Sequence, residues 1–150
     1  MSSPERSTVV FRRVPADVRP RAIERFARQL QAEVAGGRPF DCLITGDAEM
    51  KRLNRQFRGK DCPTDVLSFP SVAGLQACPG QIAISLARAR AQARSFGHST
   101  EDEVRILLLH GALHLVGMDH EADSGQMARA ERRWRARLGL PGGLMERARA

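Results

Sequence analysis

The sequence has few cysteines and no long apolar run, and both absences limit what kind of protein it can be. Its three cysteines, Cys42, Cys62 and Cys78, are widely spaced and form no Cys-x-x-Cys pair. An odd, scattered set favours reduced thiols in a cytosolic protein over a disulfide framework. No segment approaches the length of a membrane span, and residues 1–20 lack the apolar core of a secretory signal. We therefore expect a soluble, cytoplasmic protein with no membrane partner.

Acidic residues are too few to balance the basic ones. The chain has 24 Lys+Arg against 17 Asp+Glu, a formal charge of +7, and nearly all of its cations are arginines. Because guanidinium groups pair with phosphates in a fork, this balance suits a polyanionic partner such as nucleic acid. A solvated basic surface that binds nothing in particular has the same composition, so charge alone leaves both interpretations open.

The chain shows no internal repeat and no linker, and its 150 residues suit one domain over residues 1–150. Hydrophobic periodicity and breaker residues predict an α+β fold, a small mixed sheet packed by helices. The strands are predicted at 8–11, 40–45, 66–69 and 81–85, with a hairpin loop through Pro70, Gly74, Pro79 and Gly80. The helices are predicted from Pro20 until Gly36-Gly37, from a cap at Asp47 to Gly59, over 86–96, from Thr100 onwards, and over 123–138.

Three of these helices carry more specific expectations. The second should bury Met50, Leu53 and Phe57 on one face. In the fourth, Thr100 and Glu103 have the spacing of a capping box, and the helix is apolar on most sides, as expected of a central element. The last helix has an apolar stripe through Met127, Ala130, Trp134 and Leu138, and arginines mostly on its other side at positions 129, 132, 133, 135 and 137.

Three of the four histidines lie in one short run, HGALHLVGMDH, which spans residues 110–120. His110 and His114 are four residues apart, so on a helix they share a face and can point at one metal ion. Gly117 provides the break that can return His120 as a third ligand. Three protein ligands with an open position describe a catalytic zinc site with one Zn²⁺. Core histidines that hydrogen-bond to their neighbours are the alternative.

The residue after the first histidine limits the chemistry of such a site. Zinc peptidases of the His-Glu-x-x-His type keep a glutamate there as general base, and this chain has Gly111. The sequence therefore argues against a peptidase, although a glutamate from elsewhere, such as Glu121, would restore the base.

A second polar segment, RGKDCPTDVLSFP, spans residues 58–70 and leads from a helix into a strand. Arg58 or Lys60 could hold a phosphate there, while three polar side chains could orient a water or a neighbour: Thr64, Asp65 and Ser68. An ordinary polar connection between a helix and a strand has the same composition, so both interpretations stay open.

Together the two segments resemble the YbeY family of bacterial rRNA-maturation endoribonucleases. The resemblance covers roughly residues 40–140, and the matching stretches are Leu53-Asn54, residues 58–61, residues 64–70 and the whole histidine run. It implies an α+β fold with a mixed sheet and a metal-centred cleft, in which one central helix carries the metal-binding histidines.

The resemblance also implies a function: metal-dependent cleavage of single-stranded RNA in 3′-end maturation of small-subunit (16S) rRNA and in late-stage ribosome quality control. By position, His110, His114 and His120 match the family's metal ligands and Arg58 its essential arginine, which makes Arg58 and His114 the candidate catalytic residues. The implied partners are single-stranded rRNA, the small ribosomal subunit with its proteins, and an Era-type GTPase. A non-catalytic assembly factor with structural zinc is the alternative.

Two positions depart from the family's usual pattern. Gln81 stands where relatives usually have an aspartate, so any role of that carboxylate would pass to Asp65 or Asp119. Cys62 stands where many relatives have an aromatic residue, which we interpret as a tolerated surface change. Asp119, next to His120, suits either a residue that orients a ligand or one that caps the turn.

Overall fold

The computed structural model describes residues 6–13, 15–69, 80–119 and 122–142, and it confirms the predicted α+β fold with a mixed sheet. The strands are β1 Thr8–Phe11, β2 Phe40–Thr45, β3 Val66–Phe69 and β4 Gly80–Ser85, in the order β1-β2-β4-β3. Strands β1, β2 and β4 are parallel, and β3 pairs antiparallel with β4 at the sheet's edge. This pairing agrees with a β3–β4 hairpin, but the predicted loop through Pro70 and Pro79 lies outside the described residues.

Five helices surround the sheet in the described ranges: α1 Pro20–Glu33, α2 Asp47–Arg58, α3 Leu86–Phe96, α4 Thr100–Leu115 and α5 Gln126–Leu138. Helix α4 packs on β3 and β4 and contacts α1, α3 and α5, which makes it the central helix that the sequence predicts. None of the helices in the described part of the chain has the length and apolar character needed to cross a membrane.

The side chains of β4 divide the core between the two faces of the sheet. Ile82 and Ile84 belong to the main core with α1 and α4, whereas Ala83 packs with Met50 of α2. Because alternate residues of a strand face opposite sides, α2 covers the face away from α4. It covers that face only in part and leaves a groove of about 410 Å³ over the sheet. Phe57 borders this groove and is 57% exposed, so the prediction that it is buried is wrong.

Two helix starts differ by one residue from the predicted ones. Helix α2 is capped by Gly46, and Asp47 is its first helical residue. The N-cap of α4 is Ser99, whose Oγ accepts a hydrogen bond of 3.0 Å from the Asp102 backbone N–H, so the predicted capping box at Thr100 is wrong. Glu103 cannot complete that box because its carboxylate is buried against His98, at 2.6 Å from Nε2.

The first and last helices are shorter than predicted. Helix α1 ends at Glu33, and its Val34 cap precedes Gly36-Gly37. Helix α5 begins at Gln126 instead of Asp123. The Asp123 carboxylate explains the difference, because it accepts hydrogen bonds of 2.8 Å from the backbone N–H groups of Gly125 and Met127 and so caps the helix from outside.

A buried carboxylate ties the start of α4 to α1. Glu101 accepts hydrogen bonds from the Arg19 backbone N–H at 2.8 Å and from its guanidinium at 3.1 and 2.8 Å. Arg105 donates a further bond of 3.2 Å. The hydrogen bonds from the Arg19 side chain are the main cause that lowers the pKa of Glu101 to about 2. The carboxylate is therefore charged throughout the neutral range.

Two glycines set the closeness of α4 to the sheet. A Cβ atom at Gly111 would lie 2.8 Å from Ile82 Cγ2, and one at Gly80 would lie 2.9 Å from Leu115 Cδ2. A side chain at position 111 would press on the branched Ile82 and push the helix away from β4, and one at position 80 would displace the end of the Leu115 side chain. These two contacts therefore define the position of the last turns of α4, which carry His110 and His114.

We expect Gly111→Ala to lower the free energy of unfolding by about 1–3 kcal/mol, because the added methyl group overpacks the helix–sheet contact. Urea denaturation of Gly111→Ala, Ile82→Ala and the double variant measures this. The alanine at position 111 should cost less when Ile82 is absent, and equal costs in both backgrounds would show that the two residues do not clash.

The lowered pKa of Glu101 predicts a pH-dependent contribution to stability. Its value of about 2 in the folded protein lies below the ordinary 4.5, so the charged group stabilises the fold above pH 4.5 and loses this effect as the pH falls toward 2. We expect Glu101→Gln to cost about 1–2 kcal/mol at pH 7. Denaturant unfolding at several pH values should show the gap between wild type and variant closing in acid, and a constant gap would contradict the assignment.

Candidate functional site

The structure brings His110 and His114 together on the last two turns of α4. His110 is buried and His114 half-buried. Their Nε2 atoms lie 3.2 Å apart, and the rings meet edge to face with centroids 4.8 Å apart. Both imidazoles therefore direct the same nitrogen toward one point.

This geometry suits a metal ion. Two zinc-bound nitrogens at about 2.05 Å in a tetrahedral arrangement lie roughly 3.3 Å from each other. The observed 3.2 Å fits that spacing, and it also fits a hydrogen bond between two neutral rings. Among the residues that the structure describes, no group of three or more potential ligands assembles. His120 and Glu121 lie outside those residues, so the pair provides two of the three donors that the sequence predicts.

The chain leaves the helix directly after the pair. Helix α4 ends at Leu115, and Gly117 adopts a left-handed conformation with φ +94°, which side chains rarely tolerate. The Gly117 backbone N–H donates to the His114 carbonyl at 3.0 Å. Asp119 follows in this turn, where it is exposed and its carbonyl accepts a bond of 3.1 Å from Ala122 N–H. The break predicted at Gly117 is therefore present.

A carboxylate from another helix lies behind His110. Glu131 of α5 is only 1% exposed, and its Oε2 lies 3.6 Å from His110 Nδ1. Metal-binding imidazoles commonly face a carboxylate with their second nitrogen, which holds the ring and its tautomer. The sequence analysis missed Glu131. The available signal was its position one turn after Met127, which places an acidic residue beside the apolar stripe of α5.

Arg58 is the last residue of α2 and is exposed, followed by Gly59 in a left-handed cap. Within the described ranges it forms no salt bridge, and no hydrogen bond joins it to the histidine pair. The loop after it is fastened by Asn54, which is buried and donates a bond of 2.9 Å to the carbonyl of Cys62. Cys62 itself is exposed, as a tolerated surface change requires. Arg58 thus provides an exposed cation at the end of an anchored helix.

Asp65 has a structural task in this segment. One carboxylate oxygen accepts a bond of 2.8 Å from Val66 N–H, and the other accepts one of 3.1 Å from Gln92 of α3. These bonds tie the start of β3 to α3. Of the two interpretations of this segment, the structure therefore favours for Asp65 the one in which it stabilises an ordinary helix-to-strand connection, and not the one in which it orients a water molecule.

Gln81 lies on the face of the sheet opposite the histidine helix. It precedes Ile82, which packs against Gly111, and alternate residues of a strand face opposite ways. Its side chain is exposed and borders the groove beside α2. The residue at position 81 therefore belongs to this groove and not to the surroundings of His110.

Taken together, these features define an α+β protein whose central helix packs on a mixed sheet and ends in two convergent imidazoles backed by a buried carboxylate. A family model described as Endoribonuclease YbeY matches residues 14–139. The chain belongs to this family, which confirms the resemblance seen in the motifs.

Individual relatives agree with this assignment. A protein named Endoribonuclease YbeY from Solibacter usitatus is 66% identical over 151 residues and covers 100% of both chains. Another with that name, from Koribacter versatilis, is 40% identical over 139 residues, which are 93% of this chain and 90% of that one. The solution structure of a Thermotoga maritima protein is 27% identical, covers 85% of both chains and superposes with a TM-score of 0.56.

Proposed function

We propose that this protein is a metal-dependent endoribonuclease that cleaves single-stranded RNA and acts in 3′-end maturation of small-subunit 16S rRNA and in late-stage ribosome quality control. The observation that carries the proposal is the pair of Nε2 atoms 3.2 Å apart, on a chain 66% identical to a protein named as an endoribonuclease. The proposed partners are rRNA, the small subunit with its proteins and an Era-type GTPase, met in the cytoplasm. The net charge of +7 supports a polyanionic partner.

His110 and His114 would hold one Zn²⁺ together with His120, the third ligand expected from the sequence. When bound, zinc supplies Lewis acidity toward a phosphoryl oxygen and lowers the pKa of a bound water. The protein's part is to present neutral imidazoles in a fixed orientation. Glu131 beside Nδ1 favours the tautomer of His110 that carries its proton on that nitrogen and leaves Nε2 free to bind.

Arg58 would stabilise the negative charge that gathers on the non-bridging phosphate oxygens during cleavage. Its guanidinium is exposed and, within the described residues, not neutralised by a carboxylate, so it can form a fork with phosphate. The Asn54 bond to Cys62 limits the motion of the loop that follows it. This bond fixes the backbone from which Arg58 extends, while the guanidinium itself is free to adjust to a phosphate.

The packing of α4 weighs against a zinc peptidase. The position of the peptidase glutamate is Gly111, where even a Cβ would lie 2.8 Å from Ile82 Cγ2. A glutamate side chain could not enter this contact without separating α4 from β4. The proposed cleavage of RNA therefore involves no general base at position 111.

We expect His114→Ala to abolish cleavage of single-stranded RNA and Arg58→Ala to slow it about 10²–10³-fold, the effect typical of removing one charge-stabilising group. Arg94→Ala is the matched control, since Arg94 is also exposed and also lies in the last turn of a helix. Cleavage of labelled RNA and matched DNA, with folding checked by circular dichroism, measures the effects. If folded His114→Ala cuts as wild type does, or if all variants restore rRNA maturation in cells equally, the non-catalytic assembly factor becomes the better explanation.

We expect Glu131→Gln to weaken zinc binding about 10–100-fold, because the amide no longer favours the same His110 tautomer. Competition with a chromophoric chelator measures the zinc Kd independently of activity. Glu103→Gln is the control, since Glu103 is equally buried but faces His98, which lies outside the histidine run. An equal loss in both variants would assign the effect to general destabilisation.

A further inference from the structure

The outer side of α5 carries a row of three arginines. Arg129, Arg133 and Arg137 are four residues apart, so they lie along one side of the helix, and all three are exposed. At 1.5 Å per residue the row extends about 12 Å. No carboxylate in the described ranges forms a salt bridge with any of them. We refer to these three residues as the α5 arginine row.

Several other arginines of the described chain are neutralised within the fold. Arg19 pairs with Glu101 at 2.8 Å, and Arg90 pairs with Asp17 at 2.9 Å. Arg105 bridges the carboxylates of Glu101 and Asp102. The Arg19 and Arg90 pairs join separate elements and the Arg105 pairs lie within α4, whereas the α5 arginine row takes part in none of these pairs. The row is therefore part of the net positive charge that the surface presents.

The same helix reaches the histidine pair with its inner side. Glu131 points toward His110 Nδ1, at 3.6 Å, and Met127 and Ala130 are buried in the core beside it. The α5 arginine row lies on the opposite side of this helix from Glu131, so the width of α5, about 10–12 Å with its side chains, separates the row from the histidine side. An RNA strand bound along the row would therefore have to pass around α5 to reach the histidine pair.

We propose that the α5 arginine row binds the phosphate backbone of single-stranded RNA and serves as a docking surface across α5 from the histidine pair. The inference rests on the proposed function and adds to it the surface that holds the substrate. Guanidinium forks match phosphate oxygens, and such contacts position a strand without reading its sequence. Arg137 lies over the Trp134 ring at 5.0 Å, a contact that restrains its guanidinium before RNA arrives.

The test compares two variants with the same change in charge. One carries Arg129→Gln, Arg133→Gln and Arg137→Gln. The control carries Arg21→Gln, Arg25→Gln and Arg28→Gln, three exposed arginines on one side of α1. The Kd for a labelled poly(U) oligomer is measured over a range of salt concentrations. Trp134, the only tryptophan, gives a second signal through its fluorescence.

For the α5 variant we expect a Kd about tenfold higher at low salt and a slope of log K against log salt that is smaller by about 2, since each phosphate contact on a single strand contributes about 0.7. The α1 variant should keep both values close to wild type. If the Kd and salt slope of the α5 variant equal those of wild type, the proposal is overturned. An equal loss of affinity in both variants would also overturn it, because that result shows that only net charge matters.

The outcomes also separate this inference from the proposed function. A wild type that cleaves RNA while the α5 variant binds it normally refutes the inference alone. A wild type that binds RNA through the row but never cleaves it refutes the nuclease activity and leaves the surface in place. A wild type that does not bind RNA refutes both.

Discussion

The close contact between α4 and β4 is the constraint on which the rest of the structure depends. Gly111 lets the helix come near enough for Ile82 to occupy the space of a side chain, and Gly80 does the same for Leu115. The sheet, α1, α3 and α5 together bury α4, and the close contact with β4 fixes where His110 and His114 emerge. It also occupies the position at which a zinc peptidase keeps its catalytic glutamate. The close packing at Gly111 therefore positions His110 and His114, and it also leaves no room for the glutamate that peptidase chemistry requires.

Contacts through two buried carboxylates, one of α4 itself and one of α5, hold this helix near its two ends. Glu101 binds Arg19 at the start of α4, and Glu131 approaches His110 near its end. Burying such groups is costly unless they are paired, so each one strongly prefers the arrangement that supplies its partner. The imidazoles are consequently held before any ligand arrives. A rigid pair of donors is what a metal site needs, because its ligands must stay within a few tenths of an ångström of their places.

Local patterns predicted most of the fold, and the misses have physical causes. Strands β1, β2 and β3 and helix α3 follow from apolar alternation and glycine stops, and their bounds agree with the structure. At the start of α4, Ser99 and Thr100 are adjacent hydroxyl residues, and sequence alone does not separate them as caps. Phe57 keeps the helical period of a buried residue, but the sheet below it is incompletely covered. The position of Glu131 beside the apolar stripe of α5 indicates a buried carboxylate, but spacing within one helix does not reveal that its partner is His110 on another helix.

The two sides of α5 show how burial decides what a charged residue can do. On its inner side Glu131 is shielded from water, so its charge acts on one neighbour and can orient His110. On its outer side Arg129 and Arg133 keep their hydration, and they can exchange weakly held water for phosphate at small cost. In the proposed complex, α5 would bind the RNA strand on its outer side and orient the His110 imidazole on its inner side. Under this proposal, movement of α5 would affect both, and the burial of Met127 and Ala130 in the core opposes such movement.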